Sequence, residues 1–319
     1  MKMKNILRVG FFLLIVALMV SCKKDEPAGS NIVIRDRQVV YDENILEIED
    51  YLQSNYIEVD ANLNFTIAPL DAMHTTSILQ NSQYPVQFIE VKNDVRRTNF
   101  TDGASNDVVD YKLYYIILNE GGGVHPTQVD SVFTAYKGWD LENEIFDQND
   151  QGIWFTYPQT TAIDPVSISG YRQILSKIKT EASSTLNTNG TVTHNDFGNV
   201  IVFVPSGLGY FSGTVGGKSY NPIVFQIKLF NRKENDHDRD RVKSNNEDVN
   251  GDGDFYNDDT DGDKLPNFLD PDDDGDGVIT KTEIIQTNDG NGNITYYSFD
   301  NIPFCNGGSI KKHIDNSCQ

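Results

Sequence analysis

The chain has 319 residues, of which 38% are hydrophobic and 11% aromatic, so it is long enough for one or two domains with apolar cores. Its formal net charge is −21, and the segment from Asp236 to Asp289 alone contains 18 acidic and 5 basic residues. Because no cluster of lysine and arginine is present to neutralise phosphates, nucleic acid is excluded as a partner.

The first 22 residues have the features of an export signal. A basic start with Lys2, Lys4 and Arg8 precedes an apolar run, Val9 to Val20, that is too short to span a bilayer comfortably. The run ends in a small residue followed by Cys22, which resembles the lipobox of a bacterial lipoprotein. The acidic pair Asp25-Glu26 soon after the cysteine is similar to the surface-export signals of Bacteroidetes lipoproteins. The alternative is an ordinary signal peptide or a short membrane helix with an incidental cysteine.

The lipoprotein resemblance implies a location in the bacterial cell envelope. Residues 1–22 would be the signal peptide and lipobox, and residues 23–31 a hydrophilic tether. Cys22 would be the lipidated residue that anchors the protein to the periplasmic or surface face of the outer membrane. Export also implies an oxidising compartment. Cys305 and Cys318 can there form a disulfide or stay free thiols, and the sequence leaves both possibilities open.

Residues 32–109 form an N-terminal extension of unknown role. The pattern of Ile45, Ile48 and Leu52 predicts an amphipathic helix, and the stretches 63–67 and 86–91 predict short strands. No chemical motif occurs in this segment, so we expect it to pack against the main domain.

The main domain is expected to comprise residues 110–232. β-branched and aromatic residues predict strands at 111–118, 129–138, 145–147, 201–204 and 223–229, and the spacing of apolar residues predicts a short helix from Arg172 to Thr180. The polar stretch 180–199 is expected to be a surface excursion with a turn at Asn187–Gly190. The strands supply aromatic side chains with one carboxylate beside them, which suits a dry, shallow pocket for a small apolar group.

Other kinds of enzymatic site fit this domain poorly. The glycine run 121–123 lacks the Lys-Ser/Thr pair of a phosphate-binding loop, and Ser206 lacks the glycine two residues earlier that a nucleophile elbow requires. The five histidines are scattered and show no zinc-ligand spacing.

The segment from Asp130 to Leu229 resembles an FKBP-type peptidyl-prolyl cis–trans isomerase. The resemblance rests on five motifs in the family's order: Tyr136-Lys137-Gly138, Phe146-Asp147, Ile168-Ser169-Gly170-Tyr171, Val204 to Tyr210, and Ile223 to Leu229. It covers about a third of the chain. The implied fold is α+β, a twisted antiparallel sheet wrapped around a short helix, followed here by an irregular calcium-binding repeat segment.

The same resemblance implies a proline pocket that works without a cofactor. Its lining would be Tyr136, Phe146, Asp147, Ile168, Tyr171, Tyr210 and Phe225, with Trp154 or Phe155 as a further wall residue. The clients would be proline-containing exported polypeptides. Tyr171 stands where the family usually has tryptophan at the pocket floor, and Ser167 where an apolar residue is common. The altered floor keeps open a non-catalytic alternative, an FKBP-like module that binds protein in an envelope complex.

The acidic segment, residues 233–289, repeats alternate carboxylates with a period of about twelve residues, starting at Asp236, Asp248, Asp259 and Asp272. The last repeat, Asp272 to Glu283, matches the EF-hand loop, with Gly277 at the sharp turn and Ile279 expected to pack inward. Because little helix-forming sequence flanks the loops, the array resembles the calcium-binding repeats of thrombospondin type 3 more than paired EF-hands.

The predicted calcium ligands come from the last three repeats: Asp248, Asn250, Asp252, Asp259, Asp261, Asp263, Asp270, Asp272, Asp274, Asp276 and Glu283. Asp236, Asp238 and Asp240 precede them in a first loop that ends at Glu247. Arg241 and Lys264 stand where glycine is expected, which weakens the prediction for those two loops. The alternative is a disordered acidic tail. Residues 290–319 are assigned to a separate C-terminal segment.

Overall fold

The computed structural model describes residues 33–96 and 107–318, so the predicted signal peptide, Cys22 and the tether lie outside the described residues. Within this part of the chain, every helix is too short or too polar to span a bilayer. The helices and strands, in chain order, are α1 (Arg37–Ser54), β1 (Asn55–Val59), β2 (Phe65–Pro69), β3 (Gln87–Val91), β4 (Tyr111–Asn119), β5 (Ser131–Asp140), β6 (Ile145–Thr156), α2 (Ser169–Ile174), β7 (Ser183–Leu186), β8 (Val192–Asn195), β9 (Gly198–Val204), β10 (Thr214–Val215), β11 (Lys218–Ser219), β12 (Ile223–Lys233), α3 (Thr280–Glu283), β13 (Ile285–Asn288) and β14 (Ile294–Tyr296).

Six strands form the central sheet in the order β3-β4-β9-β12-β5-β6, and all neighbours are antiparallel. β12 lies between β9 and β5. Its apolar residues alternate between the two faces, with Phe225 and Ile227 in one core and Val224 in the other. The predicted α+β class with an antiparallel sheet is confirmed, and the arrangement is compatible with the FKBP-like fold.

The sheet is buried on both faces. On one face lies α2, which contributes Tyr171 and Ile174 to the larger core. Gly170 allows this helix to approach the sheet closely, since a Cβ there would lie 2.7 Å from Cγ1 of Val204. On the other face lie α1 and the β1–β2 hairpin, which contribute Leu52 and Ile57 to the second core. The N-terminal segment therefore forms an outer layer over the sheet.

β3 belongs to the same N-terminal segment, yet it is part of the central sheet. It pairs with β4 from Gln87 opposite Tyr115 to Val91 opposite Tyr111. Residues 33–96 thus supply both a covering layer and an edge strand for the sheet that carries the predicted pocket.

α1 begins earlier than the predicted helix. The Asp36 carboxylate accepts a hydrogen bond from the Val39 amide at 3.0 Å and caps the first turn. The buried face consists of Val40, Asn44, Ile48, Tyr51 and Leu52. The sequence pattern predicted that Ile45 would lie on the buried face. In the structure Asn44 is buried there, and Ile45 is only half-buried.

Several predicted boundaries were wrong. The strands predicted at 145–147, 201–204 and 223–229 are longer, as β6, β9 and β12. Two further boundaries have a clear physical cause. The helix predicted at 172–180 begins at Ser169 and gives way to a single 3-10 turn that ends at Lys177. It stops there because the amides of Lys179 and Thr180 donate to carbonyls of the glycine loop, Glu120 and Val124, at 2.7 and 2.9 Å.

The second boundary concerns β5, which continues past Gly138 to Asp140. The reason is that β12 supplies hydrogen-bonding partners for these last residues, with Trp139 opposite Val224 and Asp140 opposite Ile223. The β7–β8 hairpin fills the predicted surface excursion, and its turn is closed by the Asn187 amide donating to the Thr191 carbonyl at 2.8 Å.

The acidic segment is folded against the sheet domain. Val129, in the loop before β5, packs with Phe255, Tyr256 and Phe268. Arg96 donates to Asp254 at 2.5 Å, and its guanidinium lies 4.4 Å from the centre of the Tyr256 ring. The acidic segment therefore uses both apolar and charged contacts with the sheet domain.

The C-terminal segment packs on the acidic segment. Ile302 shares a small core with Val242 and Ile284. Cys305 and Cys318 form a disulfide, the first of the two possibilities that the sequence left open.

A buried amide on α1 holds the loop that follows β9. Asn44 is 2% exposed; its Oδ1 accepts from the Ser206 amide at 2.9 Å, and its Nδ2 donates to the Tyr220 carbonyl at 3.0 Å. We expect Asn44→Ala to lower the free energy of unfolding by about 1–3 kcal/mol, because it leaves buried polar groups without partners. Urea denaturation measures the loss. Leu46→Ala, on the exposed side of α1, is the control, and an equal loss in both variants would contradict this role.

Candidate functional site

Strand pairing places the predicted pocket residues on the α2 side of the sheet. Gly138 on β5 lies opposite Phe225 on β12 and opposite Asp147 on β6. The next registered pair is Trp139 with Ile145, so Phe146 is the extra residue of a β-bulge. A bulge re-aims a side chain, and here the Phe146 ring lies against Phe225.

The aromatic rings form one connected cluster around Phe225. The ring centroids of Tyr171 and Phe146 each lie 5.5 Å from that of Phe225, with interplanar angles of 84° and 87°. Tyr136 lies 5.9 Å from Tyr171 at 87°. Edge-to-face packing of this kind is favourable for aromatic side chains. The cluster therefore has a fixed shape.

Of the two candidates for a further wall residue, Phe155 rather than Trp154 lies against the aromatic cluster. Phe155 is buried and its ring lies 5.5 Å from Tyr171. Trp154 is 42% exposed and packs against Phe133, a residue outside the pocket cluster. Because neighbouring residues of a strand point to opposite faces of the sheet, only one of Trp154 and Phe155 can face the aromatic cluster.

Tyr171 forms a closed floor. Its side chain is 3% exposed, and its hydroxyl lies 2.8 Å from Oγ1 of Thr134, so the phenol is satisfied inside the protein. Burial raises the pKa of Tyr171 well above its ordinary value. Tryptophan, the usual residue at this position in the family, has no such hydroxyl. In Tyr171 the hydroxyl is paired with Thr134 inside the core.

The absence of a side chain at Gly138 leaves space for the rings of Phe225 and Phe146. A Cβ at this position would lie 2.6 Å from Cε1 of Phe225 and 2.8 Å from Cζ of Phe146, both closer than real contacts allow. The glycine of the Tyr136-Lys137-Gly138 motif is thus required by ring packing.

At the rim, the Asp147 carboxylate influences two phenols. The Tyr136 hydroxyl donates to Oδ2 of Asp147 at 3.0 Å, and burial together with this carboxylate raises the pKa of Tyr136 to about 12. Tyr210 is 44% exposed and lies 6.4 Å from the Phe146 ring. Partial burial and the charge of Asp147 raise its pKa as well. Both phenols are therefore neutral donors at physiological pH.

Two donors beside the cluster have no acceptor among the described residues. They are the hydroxyl of Tyr210 and the backbone amide of Ile168, the residue that precedes α2. Ile168 is half-buried and packs against the same core as the aromatic residues. The structure thus brings the seven predicted pocket residues to one place on the sheet.

The acidic segment contains four loops of one conformation: the first loop (236–247), the second (248–259), the third (259–270) and the fourth (272–283). The sixth residue of each has a positive φ, namely Arg241 at 88°, Gly253 at 82°, Lys264 at 83° and Gly277 at 90°. Arg241 and Lys264 therefore adopt the left-handed turn in spite of their side chains, at a cost of about 1–3 kcal/mol each.

The alternate side chains of the loops share one hydrogen-bonding pattern. The third residue of each loop accepts from the amide of the fifth, as Asp274 does from Asp276 at 3.2 Å, and the fifth accepts from the seventh, as Asp276 does from Val278 at 2.7 Å. The same two bonds recur in the other three loops. Each bond uses one side-chain oxygen, which leaves the second carboxylate oxygen of Asp274 and Asp276 available to a ligand. The second loop differs, because Asn250 has only one side-chain oxygen and Oδ2 of Asp252 accepts from Asn257 at 2.8 Å.

In the fourth loop these second oxygens are buried without partners. Oδ1 of Asp272, Oδ2 of Asp274, Oδ2 of Asp276 and both carboxylate oxygens of Glu283 have no hydrogen bond among the described residues. One ligand oxygen from each of the three aspartates lies within 4.8 Å of the others. Burial and the neighbouring aspartates raise the pKa of Glu283 to about 8. Three aspartates and a terminal glutamate are the donor set that calcium takes in such a loop, so these residues fit the ion.

The other predicted ligands are less enclosed. Asp259, Asp261 and Asp263 of the third loop also lie within 4.8 Å, but they are half-buried or exposed. In the second loop, Asp248 has one buried oxygen without a partner, while Asn250 and Asp252 are exposed. Asp270, which closes the third loop, is buried.

The prediction for Ile279 was wrong. It is 47% exposed, and the nearest fully buried apolar residue is Ile284, which follows the fourth loop and the short helix α3. The shift arises because Thr280, one residue after Ile279, is buried and holds Asp273 by a hydrogen bond from its Oγ1 to Oδ2 at 3.1 Å.

Comparison with known proteins gives two kinds of similarity. A family model described as BamM C-terminal matches residues 237–312, which include most of the acidic loops. Solved structures match part of the chain at low identity: a peptidyl-prolyl cis-trans isomerase from Pseudomonas syringae pv. tomato at 22% identity and TM-score 0.29, FkpA from Escherichia coli at 24% and 0.29, and the N-terminal domain of FKBP42 from Arabidopsis thaliana at 16% and 0.30.

These matches cover 38%, 38% and 41% of this chain, and 76%, 48% and 94% of the three structures respectively. The chain thus spans about half the length of FkpA. A comparison with curated proteins finds no significant match. At such identities and TM-scores the similarity carries no argument about activity, which has to come from the pocket itself.

Proposed function

We propose that the protein is a peptidyl-prolyl cis–trans isomerase that acts on Xaa-Pro bonds of exported proteins at the cell envelope. The observation that carries the proposal is the aromatic cluster around Phe225, with the Tyr136–Asp147 hydrogen bond at its rim and unpartnered donors at Tyr210 and Ile168. An apolar slot with two donors beside it suits a proline ring and the carbonyls that flank it.

The chemistry requires no acid, base or nucleophile. Rotation about the Xaa-Pro bond faces a barrier of roughly 18–20 kcal/mol, because amide resonance must be broken. A dry slot favours the twisted amide, whose carbonyl has lost conjugation and is less polar than in the planar form. Donors placed for the twisted geometry add stabilisation that the ground state does not receive, and only such selective stabilisation accelerates the reaction.

Each pocket residue then has a distinct role. Phe146, Tyr171 and Phe225 hold the proline ring and exclude water. The Ile168 amide and the Tyr210 hydroxyl donate to carbonyls of the substrate. Asp147 positions the Tyr136 phenol, which stays protonated at neutral pH because its pKa is about 12.

We expect Phe146→Ala to lower kcat/KM at least tenfold, or about 1.4 kcal/mol of transition-state stabilisation, because it opens the slot to water. Tyr210→Phe should cost less, since it removes one hydroxyl donor and keeps the ring. A protease-coupled assay on Xaa-Pro peptides with the full chain in detergent measures both. Phe88→Ala, an exposed aromatic residue on β3, is the matched control. Equal activity of the Phe146 variant and wild type would refute this pocket.

A second candidate function is supported by Tyr171, the residue at the floor of the proposed pocket. Tyr171 stands where the family usually has tryptophan, and its hydroxyl is hydrogen-bonded to Thr134, so the floor differs from the family's usual one in its side chain and its hydrogen bonding. In this alternative the domain binds proline-containing segments within an envelope complex and does not isomerise them. Wild-type protein that binds such peptides in a direct binding assay, yet accelerates no Xaa-Pro bond, would favour this second function.

The proposed envelope location is supported by the lipobox-like sequence at Cys22 and by the BamM C-terminal match. We expect Cys22→Ser to abolish acylation, because the thiol is the acceptor for the lipid. Labelling cells with an alkynyl fatty acid and recovering the protein measures the modification. Cys305→Ser is the control, since that cysteine is in a disulfide and offers no free thiol. Label that persists in the Cys22 variant would contradict a lipid anchor at this residue.

We further propose that the acidic loops bind calcium through the eleven predicted ligands, of which those in the fourth loop have the most complete set of buried oxygens. Calcium should protect residues 236–283 from proteolysis, because without cations the crowded carboxylates repel one another. Limited proteolysis of the full chain with calcium and with a chelator tests this, and cleavage within residues 180–199, a hairpin without acidic loops, serves as the internal control. Identical cleavage of the acidic segment under both conditions would count against calcium binding.

A further inference from the structure

Three carboxylates meet where the first acidic loop touches the fourth. Asp240 and Glu247 belong to the first loop, and Asp273 is the second residue of the fourth. They are 1%, 3% and 2% exposed, and one ligand oxygen from each lies within 4.8 Å of the others. The repeat pattern does not predict this group, because the second position of a loop is not among its ligands.

The three carboxylates lack compensating partners. Oδ2 of Asp240, both carboxylate oxygens of Glu247 and Oδ1 of Asp273 are buried and have no hydrogen bond among the described residues. No lysine, arginine or histidine in the described ranges forms an ion pair with any of them. Burying several anions together is strongly unfavourable unless a positive charge accompanies them.

Asp240 also belongs to a second group. Ligand oxygens of Asp236, Asp238 and Asp240 lie within 4.8 Å of one another, and Oδ1 of Asp236 and Oδ2 of Asp238 are again buried without a hydrogen bond to any residue that the structure describes. The two groups share Asp240. Together they present six buried oxygens from five carboxylates.

We propose that Asp273 joins Asp240 and Glu247 in a buried calcium site that cross-links the first acidic loop to the fourth. Calcium binds six to eight oxygens at about 2.3–2.6 Å, so oxygens on opposite sides of the ion are about 4.8 Å apart. Magnesium binds at about 2.0–2.1 Å and usually keeps several waters, which a fully buried set of carboxylates does not favour.

The cross-link has a structural consequence that the single loops do not have. Glu247 and Asp273 are separated in the chain by the whole of the second and third loops, so an ion held by both closes that stretch into a ring. This site goes beyond the calcium loops proposed above, each of which draws its ligands from one repeat.

The variant Asp273→Asn tests the site, because the amide keeps the size of the side chain and an acceptor for Thr280 but removes the charge. In chelator the variant should melt at the same temperature as wild type or higher, since one buried repulsive charge is gone. In millimolar calcium it should melt lower than wild type, and calorimetry should show at least a tenfold weaker affinity for one class of calcium site. Asp300→Asn, an exposed carboxylate in the C-terminal segment, is the control and should match wild type in both conditions.

The direction in which the melting temperature of the variant shifts relative to wild type, in chelator and in calcium, distinguishes the proposed site from a purely structural role. A purely structural role for the Asp273–Thr280 hydrogen bond predicts an equal loss of stability with and without calcium, and this result would overturn the proposal. Unchanged calcium affinity in the variant would also overturn it while leaving the single-loop sites intact. If Asp273→Asn does not fold, Glu247→Gln must show the same reversal between chelator and calcium for the proposal to stand. Each result is independent of the isomerase assay, so failure of the proposed activity is a separate outcome.

Discussion

The alternation of β12 between two cores constrains the rest of the sheet domain. Phe225 and Ile227 must face α2 while Val224 faces α1, and all three are almost fully buried. A slip of one residue would exchange the two sets, so the strand has one acceptable register. That register puts Phe225 opposite Gly138, where a side chain larger than hydrogen would strike the ring. The position of the aromatic cluster is therefore a consequence of how the strand satisfies both sides of the sheet.

Much of the pocket could be predicted from the sequence, because its motifs are short and stand in a fixed order. Tyr136, Asp147, Tyr171 and Phe225 were assigned in that way. Other features depend on pairing between distant strands. The bulge that re-aims Phe146 and the choice between Trp154 and Phe155 follow from the β5–β6 register, which no local pattern specifies.

The same limit applies to the acidic segment. Its period of about twelve residues was visible, and the four loops do share one conformation. The burial of the individual carboxylates could not be predicted from the sequence, because it depends on which loops contact other parts of the chain. Asp261 and Asp263 of the third loop are exposed, while Asp240 in the first and Asp274 in the fourth are buried. Repeats of similar sequence thus provide environments of different polarity, and the contribution of Asp273 follows from the tertiary contact alone.

The pairing of β3 with β4 has a consequence for how the chain can be divided. Without residues 87–91, the backbone amides and carbonyls along one side of β4 would be unpaired, and β4 carries six aromatic or large aliphatic residues in succession from Leu113 to Leu118. An open, apolar strand edge is a template for pairing with another chain. β3 itself ends next to Lys92, a charged residue of the kind that discourages further strand addition. The N-terminal segment, predicted from the sequence to be an extension, therefore protects the sheet from aggregation. A fragment of this protein that folds on its own has to begin upstream of residue 87.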